Sequence, residues 1–216
     1  MKTKNIFILG DSYSTFTGYI PEGNSIYYRE GGREDNDVTK VNETWWYSLA
    51  EELELNIVLN DSWSGSTVCH TGYGGLDTSK TSSFLFRIDR LINEGFFEKN
   101  KIDTVFIFGG TNDSWANSPI GELTKDDFSN ENLFRVLPAF SYLFATVKKT
   151  LPEANIIPIV NSELKSEVTD GIKAAAKLYG IECVSLHNID KSKGHPTVKG
   201  MAEIKNQIRD FIESNN

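Results

Sequence analysis

Short apolar runs alternate along the chain with longer stretches in which apolar residues recur every three or four positions. Residues 6–9, 57–59, 104–108, 156–160 and 181–186 form the runs, and most are continuous rather than alternating. Continuous apolar character is what strands covered on both faces require, so the pattern points to a parallel sheet. Between the runs, Trp46, Leu49, Ala50 and Leu53 share helical spacing, as do Phe84, Ile88, Leu91 and Ile92. Residues 132–149 read as a long apolar helix bent near Pro138. Ala174 to Leu178 belong to another helix, and Met201, Ile204, Ile208 and Phe211 line one face of a last one. Strand and helix alternate throughout, which predicts an α/β fold: a three-layer α/β/α sandwich on a five-stranded parallel sheet.

The connections are unequal. About thirty residues separate the first run from the Trp45 helix, and loops this long in a compact domain are usually functional. A Ser/Gly/Thr-rich stretch follows the second run over residues 61–83, and an irregular one follows the third over residues 109–130. All three leave the carboxyl ends of strands, where open α/β sheets bind their ligands. The pattern therefore predicts a site built from residues near 11–20, 61–75 and 110–118.

Length and composition narrow the class. At roughly 150 residues per domain, 216 residues make one domain the natural reading, spanning residues 1–216. A net charge of −8 argues against binding nucleic acid or an anionic membrane, whose phosphates it would repel. No apolar run is long enough for a transmembrane helix, and the first apolar run is too short for a signal peptide. A cytoplasmic location is expected. Cys69 and Cys183 are too few for a disulfide framework or a thiolate cage.

Four segments carry candidate chemistry. Gly10-Asp11-Ser12 places a hydroxyl in a tight turn just past a buried strand, and such a hydroxyl needs a base to become nucleophilic. Gly65, in a Ser-rich loop, offers a bare backbone N–H. Asn112, in Gly109-Gly110-Thr111-Asn112-Asp113, offers an amide donor to developing negative charge. His195, beside Pro196 and the helix-capping Thr197, suits a general base held at a helix entrance. Singly, each has a bland alternative as a turn, cap or surface residue. A parallel sheet would bring all four to one edge, where they supply a nucleophile, oxyanion donors and a base.

These four blocks resemble the SGNH/GDSL hydrolase superfamily of esterases and lipases. Asp11-Ser12 matches the block that names the family, with Tyr13 where Leu is usual. Gly65, Gly110-Thr111-Asn112-Asp113 and His195-Pro196 match later blocks. The resemblance implies a flavodoxin-like fold and a serine esterase working through an acyl-enzyme. In it Ser12 is the nucleophile and His195 the base, with an oxyanion hole of the Ser12 and Gly65 amides and the Asn112 side chain. No metal or organic cofactor is expected. The family usually carries an Asp three residues before the His, where this chain has Ser192. Asp190 is the nearest acid and is expected to orient His195, unless a backbone carbonyl does so and leaves a dyad.

The substrate expected is a small-molecule ester, with a short acyl group on a carbohydrate preferred. Asp11, Trp63, Tyr73 and Trp115 are candidate substrate contacts, because aromatics beside polar groups suit a sugar ring. A short-chain or lysophospholipid ester is the alternative. Readings of another class are a flavin- or phosphate-binding module using Thr15-Phe16-Thr17-Gly18, a metal-dependent phosphoesterase drawing on Asp11, Asp113 and His195, and a non-catalytic carbohydrate binder. The pattern does not define an oligomeric state or a role for His70.

Overall fold

The computed structural model describes residues 4–215. Its five principal strands are β1 (Asn5–Gly10), β2 (Asn56–Ser62), β3 (Thr104–Phe108), β4 (Asn155–Val160) and β5 (Val184–Ser185), all parallel and ordered β2-β1-β3-β4-β5. The helices are α1 (Trp45–Glu52), α2 (Phe84–Asn93), α3 (Phe96–Lys99), α4 (Thr111–Trp115), α5 (Val136–Thr150), α6 (Ser166–Leu178) and α7 (Val198–Ser214). Strand side chains alternate between faces, and every strand must cover both. Ile6, Ile8, Phe106, Phe108, Ile157 and Ile159 pack with Trp45, Trp46 and Leu49 of α1 and with Met201, Ile204 and Ile208 of α7. Phe7, Leu9, Val105 and Ile107 pack on the opposite face with α2, α5 and α6. This is the expected three-layer sandwich, and its strand order is the flavodoxin-like one.

Two predicted elements differ. The last strand spans two residues rather than 181–186, because the Ile181 N–H turns back to Ala176 O and closes the end of α6. The bend expected at Pro138 falls earlier: Arg135 is extended between a 3₁₀ turn (Asn132–Phe134) and α5. Pro138 then occupies the first turn of α5, where an N–H has no intrahelical acceptor to lose.

One short element was not anticipated. β6 (Lys191–Ser192) and β7 (His195–Pro196) form an antiparallel hairpin. Lys193 (φ 46°) and Gly194 (φ 82°) make its two-residue turn, and the two positive φ values match the twist of the flanking strands. Among the described residues no helix is long and apolar enough to cross a membrane.

Candidate active site

The chain reverses direction across the sheet at β1: β2 lies on one side of it and β3 on the other. Its carboxyl end is thus the switch point where such sheets open a crevice. The turn after β1 is bonded to both neighbours, with Trp63 N donating to Gly10 O (3.1 Å) and Asp11 N donating to Phe108 O (3.2 Å). Gly10 is required by close approach, since a Cβ there would lie 2.5 Å from Ser62 Oγ. Ser12 opens a 3₁₀ turn (Ser12–Ser14) that Asp11 caps by accepting from Tyr13 N (3.0 Å). Asp11 itself is fully buried, its Oδ2 has no hydrogen-bond partner, and burial raises its pKa to about 7. Its expected role as a substrate contact is corrected: it lies beneath the turn and shapes it.

The hairpin delivers the imidazole, and His195 Nε2 lies 3.0 Å from Ser12 Oγ. For Nε2 to accept the hydroxyl proton, Nδ1 must carry the ring hydrogen, an assignment made from the contact. Nδ1 is buried and makes no hydrogen bond of ordinary geometry; the polar group beside it that favours a protonated ring is the Lys193 backbone. The expectation that Asp190 orients the ring is also corrected. The hairpin sets Ser192 opposite His195 and Lys191 opposite Pro196, so Asp190 comes opposite Thr197. Thr197 N donates to Asp190 O (3.2 Å), and the Asp190 carboxylate accepts the Thr197 hydroxyl, leaving no hydrogen bond to His195. Aromatic rings enclose the imidazole instead: Tyr27 stacks on it, and Tyr13 and Trp115 stand at 5.5 and 5.6 Å between centroids. Burial lowers the His195 pKa to about 4, which keeps the ring neutral and able to accept a proton at neutral pH.

Donors converge on the same crevice. Gly65 is exposed, has φ of +83°, and leaves open space where a Cβ would stand. Among the described residues neither its N–H nor that of Ser12 has a protein acceptor. Asn112 Nδ2 gives one hydrogen to Ser66 O (3.0 Å), and Oδ1 accepts from Tyr73 Oη (2.8 Å). Those two contacts fix which end of the amide is nitrogen and leave its second hydrogen free.

Two buried charges hold this geometry. Asp113 is fully buried and accepts from Val68 N (2.8 Å) and Cys69 N (3.1 Å), fastening the loop that carries Gly65 to the start of α4. Arg87 of α2, 1% exposed, donates from Nη2 to Gly10 O (3.1 Å) and Ser66 Oγ (3.2 Å), from Nη1 to Asp61 O, and from Nε to Ser82 O (3.0 Å). Arg87 was missed in the sequence. The signal was there, because Phe84, Arg87, Ile88 and Leu91 share one face of α2 and place a cation inside an apolar stripe.

Tyr73 and Trp115 are exposed, and their contacts with Asn112 and His195 put them beside the reacting groups; Trp63 is half-buried. His70 bonds Ser83 Oγ (3.0 Å) and packs on Phe134, and His187 lies exposed near Ser185, so neither joins Ser12. The flavin reading loses its basis: Thr15 and Phe16 are buried, and no α-helix begins until Trp45 to offer an N-terminus to phosphate.

A family model described as GDSL-like Lipase/Acylhydrolase matches residues 4–212. A structure assigned to the GDSL-like lipases from Bacteroides ovatus is 41% identical, with a TM-score of 0.92, covering 99% of this chain and all of that one. Another from Bacteroides uniformis is 45% identical, with a TM-score of 0.91, covering 98% of this chain and 96% of that one. An acetyl xylan esterase from Butyrivibrio proteoclasticus shares the fold at 19% identity and a TM-score of 0.61, over 99% of this chain and 64% of its own. Curated proteins give no match. Matched over nearly its whole length, this chain belongs to the GDSL-like lipase/acylhydrolase family and is a hydrolase of ester bonds.

Proposed function

We propose that the protein is a serine esterase that removes a short acyl group from a carbohydrate or similarly polar alcohol. The observation that carries this reading is the 3.0 Å contact between Ser12 Oγ and His195 Nε2, set beside backbone amides that have no acceptor among the described residues. His195 takes the Ser12 proton as Oγ bonds the ester carbon, and the carbonyl pair moves onto oxygen. The Ser12 and Gly65 amides and the free Asn112 hydrogen hold that oxyanion; one such donor is worth about 100- to 1000-fold in rate. As the tetrahedral species collapses, the C–O bond to the alcohol breaks and His195 returns its proton to the departing oxygen. Water then repeats both steps on the acyl-enzyme, freeing the acid and Ser12. The pair works as a dyad, with the ring oriented by its surroundings rather than by a carboxylate.

Exposed Tyr73 and Trp115 at the crevice favour a sugar, since aromatic faces cover its apolar C–H surface while polar groups meet its hydroxyls. The test is labelling with a fluorophosphonate and mapping of the adduct. Modification at Ser12 is the expected result, and an unlabelled Ser12 in active enzyme overturns the mechanism. Acetylated sugars assayed against esters of increasing chain length then decide the substrate class; a rate that climbs steadily with chain length would turn the assignment to lipid.

The hairpin register makes a second prediction. Asp190→Ala is expected to keep kcat/KM within about threefold of wild type, whereas disabling the acid of a working triad costs about 10⁴-fold. A loss beyond a hundredfold, measured on p-nitrophenyl acetate, would restore Asp190 to the mechanism.

A further inference from the structure

The long loop between β1 and α1 lies against the base. The Tyr27 ring lies parallel to the His195 imidazole, 3.6 Å between centroids and 6° between planes. One face of Tyr27 is thereby occupied, and the Arg33 guanidinium, 4.4 Å from the centroid, covers the other. Asp35 holds Arg33 (3.2 Å) and approaches Lys193 in the hairpin turn (3.9 Å). The loop is also fastened to the segment bearing the base: Tyr28 Oη and Asn36 Nδ2 both donate to Pro196 O (2.9 and 3.0 Å), and Asp37 accepts from Val198 N (2.9 Å).

Tyr27 is tied to the nucleophile as well. Its N–H donates to Thr15 Oγ1 (2.9 Å), and that hydroxyl donates to Ser12 O (3.0 Å). Thr17 N donates to Tyr28 O (3.1 Å) and pins the same stretch of loop to the nucleophile turn. A single residue thus links the turn that holds the hydroxyl, through its backbone, to the ring that takes the proton, through its side chain. Among the described residues no carboxylate bonds Nδ1, and of the rings around the imidazole Tyr27 is the one that lies parallel to it.

We propose that Tyr27 is the positioning residue for His195, and that its stacked ring, backed by Arg33, does the orienting that a carboxylate does in a triad. A flat ring at 3.6 Å restricts rotation of the imidazole out of its plane. It also presents a π face to the positive charge that forms when Nε2 is protonated. The stack covers one face of the ring and so adds to the burial that holds its pKa down. The charged and titratable groups around the ring are Tyr27, Tyr28, Arg33 and Asp35 from the loop, Lys191 and Lys193 from the hairpin, and Tyr13 from the nucleophile turn.

This inference rests on the esterase reading, and the experiment separates the two. Wild type, Tyr27→Phe, Tyr27→Leu and Tyr27→Ala are compared on p-nitrophenyl acetate across pH. Wild-type activity is expected to fall only as pH drops through about 4, where His195 becomes protonated. Tyr27→Phe keeps the ring and should match wild type within about twofold in kcat and in the position of that acid limb. Tyr27→Ala should lose about 10- to 100-fold in kcat, the scale of a misplaced catalytic group, with KM little changed. Its acid limb should climb toward roughly 6.5, the ordinary imidazole value. Tyr27→Leu fills the space without a planar face and should follow Ala in kcat, so lost packing alone does not account for the effect. Wild-type kcat in the Leu variant, or a Phe variant as impaired as Ala, overturns the proposal. His195 is also titrated by NMR without substrate: an unmoved pKa in the Ala variant defeats the positioning role. A shifted pKa in a protein whose wild type cleaves no ester defeats the esterase reading and leaves the stack in place.

Discussion

Ser12→Ala is expected to lower turnover of p-nitrophenyl acetate by roughly 10⁴-fold or more, with the thermal transition within a degree or two of wild type. The two halves of the prediction have separate causes. The Ser12 hydroxyl makes one hydrogen bond, to His195 Nε2, while the turn is held by Ser12 O, which accepts from Thr15, and by the Asp11 cap. Alanine leaves those backbone contacts intact and removes only the attacking oxygen. What remains is an oxyanion site without a nucleophile, which still favours attack by water to some extent, so the residual rate should exceed the uncatalysed one. Kinetics of the purified variant beside its melting curve provide the check. Turnover within tenfold of wild type, with the fold intact, would remove Ser12 from the reaction.

How much of this site the sequence displayed depends on how each residue is held. Ser12, Gly65 and Asn112 follow buried strands whose apolar runs mark them, and the strand order then brings their loops together. His195 precedes a helix with strong amphipathic spacing. Its immediate setting was not legible, because a hairpin of two-residue strands has no periodicity to read. Without the hairpin, an acid five positions before the base looked able to reach it; with it, Asp190 belongs opposite Thr197. Tyr27 was legible only as one of three tyrosines, with Tyr19 and Tyr28, in a long loop that could stack on a sugar; nothing in the sequence set it against His195. It lies in a loop whose course is set by contacts with Pro196 and Val198, about 170 residues away in sequence, and local pattern carries no such information. The last strand was over-read for a related reason: the 181–186 run carries Ile181, Cys183, Val184 and Leu186, but β4 is met only from its end, by Val184, Ser185 and the Leu186 N–H that donates to Val160 O (2.9 Å).

The buried arginine carries the largest expected effect on stability. Arg87 and Asp61 are 1% and 0% exposed, and the guanidinium supplies donors to Gly10 O, Asp61 O, Ser66 Oγ and Ser82 O. Arg87→Met keeps the length and apolar stem but removes the guanidinium donors to all four, leaving Gly10 O with Trp63 N (3.1 Å). It also leaves the Asp61 carboxylate, among the described residues, with Arg90 (3.2 Å) and Asn24 (3.1 Å). Removing one partner of a buried pair typically costs 3–5 kcal/mol, roughly, because the other charge stays desolvated. For a chain of this size that is a fall of roughly 6–20 °C in melting temperature. Arg87→Lys restores the charge but not the fork of donors, so it should land between Met and wild type. Activity should fall further than stability alone explains at temperatures where the variant stays folded, since Arg87 joins the end of β1 to the loop that carries Gly65 and so spaces the nucleophile from the oxyanion donors. Thermal melts and kcat measured well below the transition distinguish the two effects. A Met variant with the wild-type melting temperature would mean that the buried acceptors have found water, and that the guanidinium does not hold these strands together.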